Sequence, residues 1–331
     1  MRLVTYTFRG TTRTGAMLGE NDVVDLNRAE TLRLNQTGAE SPEIRAAFNV
    51  PTDMLAFLRA GDAGVESARA ALRVAEVEIK RDRAAAIASG LLFGTNEPGF
   101  RLEAPVPRPS SVLAIGLNYK AHAAETSQEL PQYPMVFSKV ATCIIASGAP
   151  IQRPAASEAL DWEGELCFVI GKRAWQVKES EAIDYVAGFM IGNDVSVRDY
   201  QRHTTQYLMG KSFDTHGPTG PYLVTRDEVD SANLDVRTWV NSVLKQESNT
   251  SLLIFSIPHL IEYITAAFAL EPGDIVFTGT PSGVGFSRTP PEYLRPGDNV
   301  AIEISGLGRL ENPVIQAPEA AVPVPRAAIR A

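Results

Sequence analysis

From residue 112 to residue 304 the chain repeats one pattern, a short apolar run closed by glycine, proline or aspartate. The runs are Val112–Gly116, Met135–Lys139, Glu165–Ile170, Ala187–Asp194, Tyr222–Thr225, Asp235–Val240, Asp274–Thr278 and Asn299–Ile304. Runs this short between turn formers are strands, and one helical pattern, Ile257–Phe268, lies among the later ones. The fold class expected is α+β and rich in strand, a mixed β-sheet or β-roll core.

The residues before this region read differently. Val4, Tyr6 and Phe8 alternate with polar neighbours. A second strand is expected near Gly15–Leu18, and a third, Val23–Leu26, after the Asn21-Asp22 turn, so residues 1–26 form a small β meander. Two helical patterns follow. One is MLAFLRAG, with Gly61 as its C-cap; the other is an Ala-, Arg- and Glu-rich run from Val65 to Ile87. The segment APVPRPSS, from Ala104, holds three prolines and cannot continue a helix, so it reads as a linker. The organisation predicted is a small N-terminal domain over 1–100, a catalytic domain over 105–314, and a disordered Pro- and Ala-rich tail over 315–331.

Composition removes several function classes. The net charge of the 331 residues is -8 and no basic patch stands out, which argues against nucleic acid. The two cysteines, Cys143 and Cys167, lie among apolar residues and form no CxxC pair. A disulfide framework or structural zinc site is not expected, and a reducing compartment fits. The opening residues MRLVTYTFRGTTRTG lack the apolar core of a signal peptide. The most apolar stretch, Ser251–Leu270, is interrupted by Pro258, His259 and Glu262 and reads as a buried helix, not a membrane span. A cytoplasmic protein is expected, with a small molecule as its partner. No G-x-S-x-G or P-loop lysine is present, which argues against serine-hydrolase and nucleotide chemistry.

The chemistry that remains is carried by acids on strands. In DWEGELCFVIG, Glu163 and Glu165 are two apart at the start of a strand. Both carboxylates therefore point to one face, roughly 7 Å apart at the Cα level. Two like charges on a buried face are costly unless a cation neutralises them. Asp194, where the apolar run of VAGFMIGND ends, is placed to be a third ligand. An all-oxygen set selects Mg²⁺, Mn²⁺ or Ca²⁺ over zinc. A bare E-x-E pair is more often a solvated strand face, and the second strand-end acid weighs only modestly against that. In NYKAHAAE, His122 and Glu125 are three apart and share a helix face, so the carboxylate can orient the imidazole; an isolated H-x-x-E is more often an exposed turn. Lys211 can stabilise an oxyanion, or be a solvated loop lysine. GTPSGVG offers a tight turn in which Thr280 could bind a substrate carboxylate. Arg198 on its own is more often an ion-pair partner. His203 lies in the polar stretch QRHTTQYLMG, which could form a lid, and His216 and His259 are read as structural or exposed.

Several segments together resemble the fumarylacetoacetate hydrolase family. They are AIGLNYKAHAAE (114–125), PMVFSKVATCIIASGAPI (134–151), LDWEGELCFVIGKRA (160–174), GFMIGNDVSVRDYQ (188–201), KSFDTHGPTGPYLV (211–224), FTGTPSGVG (277–285) and PGDNVAIEISGLGRLENPV (296–314). The N-terminal region is similar to the small leading domain of longer bacterial members. The resemblance implies a β-roll fold, usually dimeric, with Mg²⁺ or Mn²⁺ on Glu163, Glu165 and Asp194. It implies His122 and Glu125 as a water-activating dyad with Lys211 as a further catalytic residue, and substrate contacts from Tyr119, Arg198, Gln201 and Thr280. Two departures bear on the substrate. Leu117 stands where many short relatives have Arg, and Asn118 where true fumarylacetoacetases carry another acid. Both argue against fumarylacetoacetate itself. The activity expected is hydrolysis of a C–C bond in a 2,4-dioxo acid of the acylpyruvate or fumarylpyruvate type. The alternative is an oxaloacetate-type decarboxylase or an oxo-dienoate hydratase or isomerase.

Overall fold

The computed structural model describes residues 1–318. Twelve strands form one sheet. Its path runs Leu92–Gly94, Asp22–Asp25, Thr11–Leu18, Arg2–Phe8, Gly217–Thr225, Val186–Asn193, Gly164–Ile170, Ile275–Phe277, Val112–Gly116 and Met135–Lys139. Five further strands form a second sheet, Val243–Asn249, Asp235–Val240, Asn299–Ile304, Gly308–Gln316 and Ile151–Arg153. Each strand expected between 112 and 304 is present, some with shifted ends. The strand-rich α and β architecture is the one read from the sequence.

The strand Gly164–Ile170 separates two cores. Leu166, Phe168 and Ile170 pack with Leu260 and Ile264 of the Ile257–Ala267 helix and with Val300 and Ile302 of the second sheet. Cys167 and Val169, on the other face of the pleat, pack with Phe57, Leu58, Ile275 and Phe277. Glu165 shares its parity with Cys167 and Val169, and Glu163 continues it.

The meander is not a separate sheet. Leu3 pairs with Leu223 and Arg2 with Val224. The terminal ammonium of Met1 donates to Thr225 Oγ1 at 2.8 Å and pairs with Glu228 at 2.7 Å. The third strand ends at Asp25 and not Leu26, because the Asp25 side chain accepts the Arg28 N–H and starts a helix, Leu26–Gln36. That helix and Pro42–Asn49 were not legible as helices. The first buries Glu30, which pairs with Arg33 and accepts from Asn49, among Leu26, Ala29 and Leu34, so its inner face is not wholly apolar. MLAFLRAG is helical over Met54–Arg59, but its C-cap is Ala60, and Gly61, expected as the cap, has φ +62° and opens the next helix, Gly61–Arg81. The expected Val65–Ile87 helix breaks at Asp82, whose side chain accepts the Ala85 N–H and caps a separate helix, Arg83–Ala88. The Ser251–Leu270 stretch holds the amphipathic helix Ile257–Ala267, and no described helix is long and apolar enough to cross a membrane. Of the tail expected over 315–331, Ile315 and Gln316 instead pair with Gln152 and Arg153 in a strand, and residues 319–331 lie outside the described residues.

Candidate metal centre

Strand register brings the acids together. Gly164 pairs with Asn193. Beyond that pair the Asp194 N–H donates to the Glu163 carbonyl at 2.9 Å, and the Glu163 N–H donates to Asn193 Oδ1 at 3.0 Å. Two strand ends are thereby tied together, and their carboxylates meet. Oxygens of Glu163, Glu165 and Asp194 lie within 4.8 Å of one another, and all three residues are buried.

Cations surround this cluster on one side. Lys211 Nζ is 2.7 Å from Glu163 Oε2 and 2.7 Å from Asp194 Oδ2. Lys139 Nζ is 2.7 Å from Asp194 Oδ1 and also donates to the carbonyls of Lys211 and His216. Arg198 pairs with Glu163 Oε1 at 2.6 Å and with Asp161 Oδ2 at 2.8 Å. Burial disfavours the Glu163 anion, but Lys211 and Arg198 outweigh it and hold this carboxyl below the usual range. Burial likewise opposes the Lys139 ammonium, and the charge of Asp194 overcomes it.

Glu165 is the exception. Among the described residues it has no cation at ion-pair distance, and its side chain accepts one N–H, from Gly279 at 2.7 Å. Burial, then the charges of Asp194 and Glu163, push its carboxyl well above the ordinary range. A buried acid short of positive charge, facing two other carboxylates, fits a hard divalent cation. Glu163, Glu165 and Asp194 are the residues that would hold it.

The acid–base pair sits beside this cluster. His122 Nδ1 is 2.8 Å from Glu125 Oε1, at one end of the short helix Lys120–Glu125. Glu125 Oε2 accepts the Gly283 N–H at 2.9 Å and the Ser287 hydroxyl at 3.0 Å. Burial works against the Glu125 anion, but these donors and His122 keep its carboxyl low. A carboxylate that accepts at Nδ1 leaves Nε2 as the ring nitrogen free for proton transfer.

The glycine turn acts through these acids. The Gly279 amide binds Glu165, the Gly283 amide Glu125 and the Gly285 amide Asp161. Gly279 and Gly283 adopt φ of +101° and +102°. A Cβ on Gly283 would lie 2.1 Å from the Lys245 carbonyl, so both the backbone angle and the space require glycine there. The Thr280 hydroxyl donates to the Gly164 carbonyl and accepts from Gln246.

A cavity of about 180 Å³ opens on the site and is lined by His122, Glu163, Arg198, Gln201, Lys211 and Thr280, among others. Tyr119, expected to contact substrate, is buried with an unpartnered hydroxyl and is not among the residues that line this cavity. Asn118 braces two loops, donating to the carbonyls of Phe255 and Thr278 and accepting the Phe255 N–H. His216 is fully buried and its Nε2–H donates to the Gln152 carbonyl at 2.9 Å, while His203 and His259 are at least partly exposed. Sequence reasoning missed Lys139 and Asp161. Asp161 had a signal, because it extends the two-residue period of Glu163 and Glu165 by one step. Lys139 had none, since a lysine ending an edge strand reads as a solvated one.

Comparison with known proteins bears on this geometry. Residues 111–315 match the family model described as fumarylacetoacetate (FAA) hydrolase C-terminal. The chain belongs to the fumarylacetoacetate hydrolase family. Enzymes of this family typically use a divalent metal. The oxaloacetate tautomerase fahd2, mitochondrial, of Xenopus laevis is 38% identical over 270 residues, which cover 81% of this chain and 80% of that one. Oxaloacetate tautomerase YisK of Bacillus subtilis (strain 168) is 35% identical over 305 residues, covering 91% of this family member and 95% of its relative. The crystal structure of 5-carboxymethyl-2-hydroxymuconate delta-isomerase from Mycobacterium smegmatis matches with a TM-score of 0.68 at 30% identity, over 96% of this chain and 100% of that one.

Proposed function

We propose that this chain is a metal-dependent tautomerase of a small 2-oxo dicarboxylic acid of the oxaloacetate class. The reading rests on one observation above the others: an oriented base, His122, lines a small cavity together with Glu163, one of the three clustered acids. Tautomerisation needs one group to move one proton and needs neither a nucleophile nor a leaving group. The cavity, at about 180 Å³, is smaller than the ~300–1,000 Å³ usual for larger ligands. The names of the two curated relatives support the same chemistry and displace C–C hydrolysis from first place.

A divalent ion, when bound, would polarise the 2-oxo group and lower the acidity barrier at C3. His122 Nε2 removes the C3 proton of the keto form. Glu125 holds the imidazolium that results, and the same proton is returned to the oxygen of the enolate. Lys211 lies close enough to the acids to offset the negative charge that builds up on that oxygen. Arg198 and Gln201, which line the same cavity, orient the substrate.

Hydrolysis of an acylpyruvate- or fumarylpyruvate-type acid is the second reading, favoured by the dyad, because the same base can deprotonate water. Decarboxylation makes no use of a base, so the dyad weighs against it. The test compares freshly dissolved enol-oxaloacetate with acetylpyruvate, each with Mg²⁺ or Mn²⁺. The expected result is faster loss of enol absorbance and no pyruvate from acetylpyruvate. Pyruvate release with no change in the enol decay would overturn the proposal in favour of hydrolysis.

A further inference from the structure

The cavity holds one cation that the cluster does not use. Arg202 lies one helical turn beyond Arg198 in the short helix Arg198–Arg202, and it lines the same cavity. Both guanidiniums lie over the ring of Phe286, Arg198 at 4.3 Å and Arg202 at 4.6 Å from its centroid. The two can therefore be no further apart than those distances laid end to end. Their electrostatic situations differ. Arg198 spends its Nε and Nη1 on Asp161, Glu163 and the Gln201 side chain. Arg202 has no acidic partner and no side-chain hydrogen bond among the described residues. The Nη2 of Arg198 is also buried and unpartnered.

Two like charges stacked on one ring repel, and the arrangement is favourable where an anion lies between or beside them. A planar fork also suits a carboxylate, which it can bind through two parallel hydrogen bonds. The 2-oxo acid end of the substrate belongs at the three-acid cluster. A second negative group on the same small molecule would then be directed to the Phe286 side.

We infer that Arg202, aided by the free Nη2 of Arg198, binds the distal carboxylate of a dicarboxylic substrate and sets the preference for diacids over 2-oxo monoacids. This rests on the oxo-acid reading of the site, although the binding test does not require turnover. Arg202 is exposed and outside the buried ion pairs, so its substitution spares the fold.

The experiment is a calorimetric titration of the Mg²⁺-loaded protein with oxalate, which has no distal carboxylate, and with malate, which has one. Wild type is expected to bind both. Arg202→Gln is expected to weaken malate by about ten- to a hundredfold, the loss of one charge-assisted pair, and to leave oxalate within about twofold. Arg202→Lys keeps the charge without the fork and is expected to recover part of the malate affinity. Equal weakening of both ligands, or no weakening of malate, overturns the assignment. Should Arg202→Gln discriminate as expected while wild type does not speed enol-oxaloacetate decay, the tautomerase reading falls and the carboxylate anchor stands.

Discussion

His122→Asn is expected to lower kcat for enol-oxaloacetate ketonisation by about 10²–10⁴-fold, the usual contribution of a positioned general base. The side chain is mostly buried, its Nδ1 is committed to Glu125, and Glu125 is itself held by Gly283 and Ser287. Such a chain of contacts fixes one tautomer and one ring orientation. Asparagine keeps a polar group and cannot carry the proton. Because His122 is not among the three acids, Mn²⁺ affinity is expected to change little, which separates a catalytic loss from a damaged metal site. Glu125→Gln is expected to fall between wild type and His122→Asn, since the base remains but its tautomer is no longer enforced. Steady-state rates for the three proteins, together with their Mn²⁺ affinities, check this. If His122→Asn keeps its kcat within tenfold of wild type, the base has been assigned wrongly.

Lys139→Met is expected to destabilise the fold by about 3–5 kcal/mol, the range for removing one partner of a buried ion pair. Its ammonium is fully enclosed and serves three acceptors, Asp194 and the carbonyls of Lys211 and His216. Methionine fills the volume and leaves a buried carboxylate with one counter-charge fewer. For a chain of this size the change corresponds to a fall in apparent Tm of roughly 4–7 °C. Lys80→Met, on an exposed helix position, serves as the control and is expected to shift stability by no more than ~0.5 kcal/mol. Thermal unfolding of the metal-free proteins measures both. A loss below about 1 kcal/mol for Lys139→Met would mean that Asp194 is served well enough by Lys211 alone.

Much of the fold could be read from periodicity. The strands between 112 and 304 carry their own apolar runs and their own turn residues, so local sequence decides them. The helices Leu26–Gln36 and Pro42–Asn49 could not be read this way. Glu30 sits on the buried face of the first and is paired with Arg33 and Asn49, one of which is nineteen residues away. Pairing of the first strand with Gly217–Thr225 is equally invisible, because contacts more than two hundred residues apart leave no trace in a local pattern.

The site divides along the same line. Glu163 and Glu165 were legible because a strand has a period of two. His122 and Glu125 were legible because a helix brings residues three apart together. Thr280, expected to bind a substrate carboxylate, lines the cavity, but its hydroxyl is already engaged by Gly164 and Gln246, which no local pattern shows. The cation set of Lys139, Lys211 and Arg198 comes from three separate segments, and only the three-dimensional register shows that it leaves Glu165 uncompensated.

That uncompensated acid allows the most direct measurement. Mn²⁺ is titrated calorimetrically into wild type, Glu165→Gln and Asp194→Asn, in buffers of differing ionisation enthalpy. Burial and the neighbouring acids hold the Glu165 proton to higher pH than usual, so uptake of the ion should release it. For the same reason affinity should fall as the pH is lowered through that raised range. The expected result is one ion per chain for wild type, proton release on binding, and loss of most affinity in both variants. Binding of equal strength in Glu165→Gln and Asp194→Asn, or no stoichiometric binding in wild type, would contradict a metal centre built on these three carboxylates.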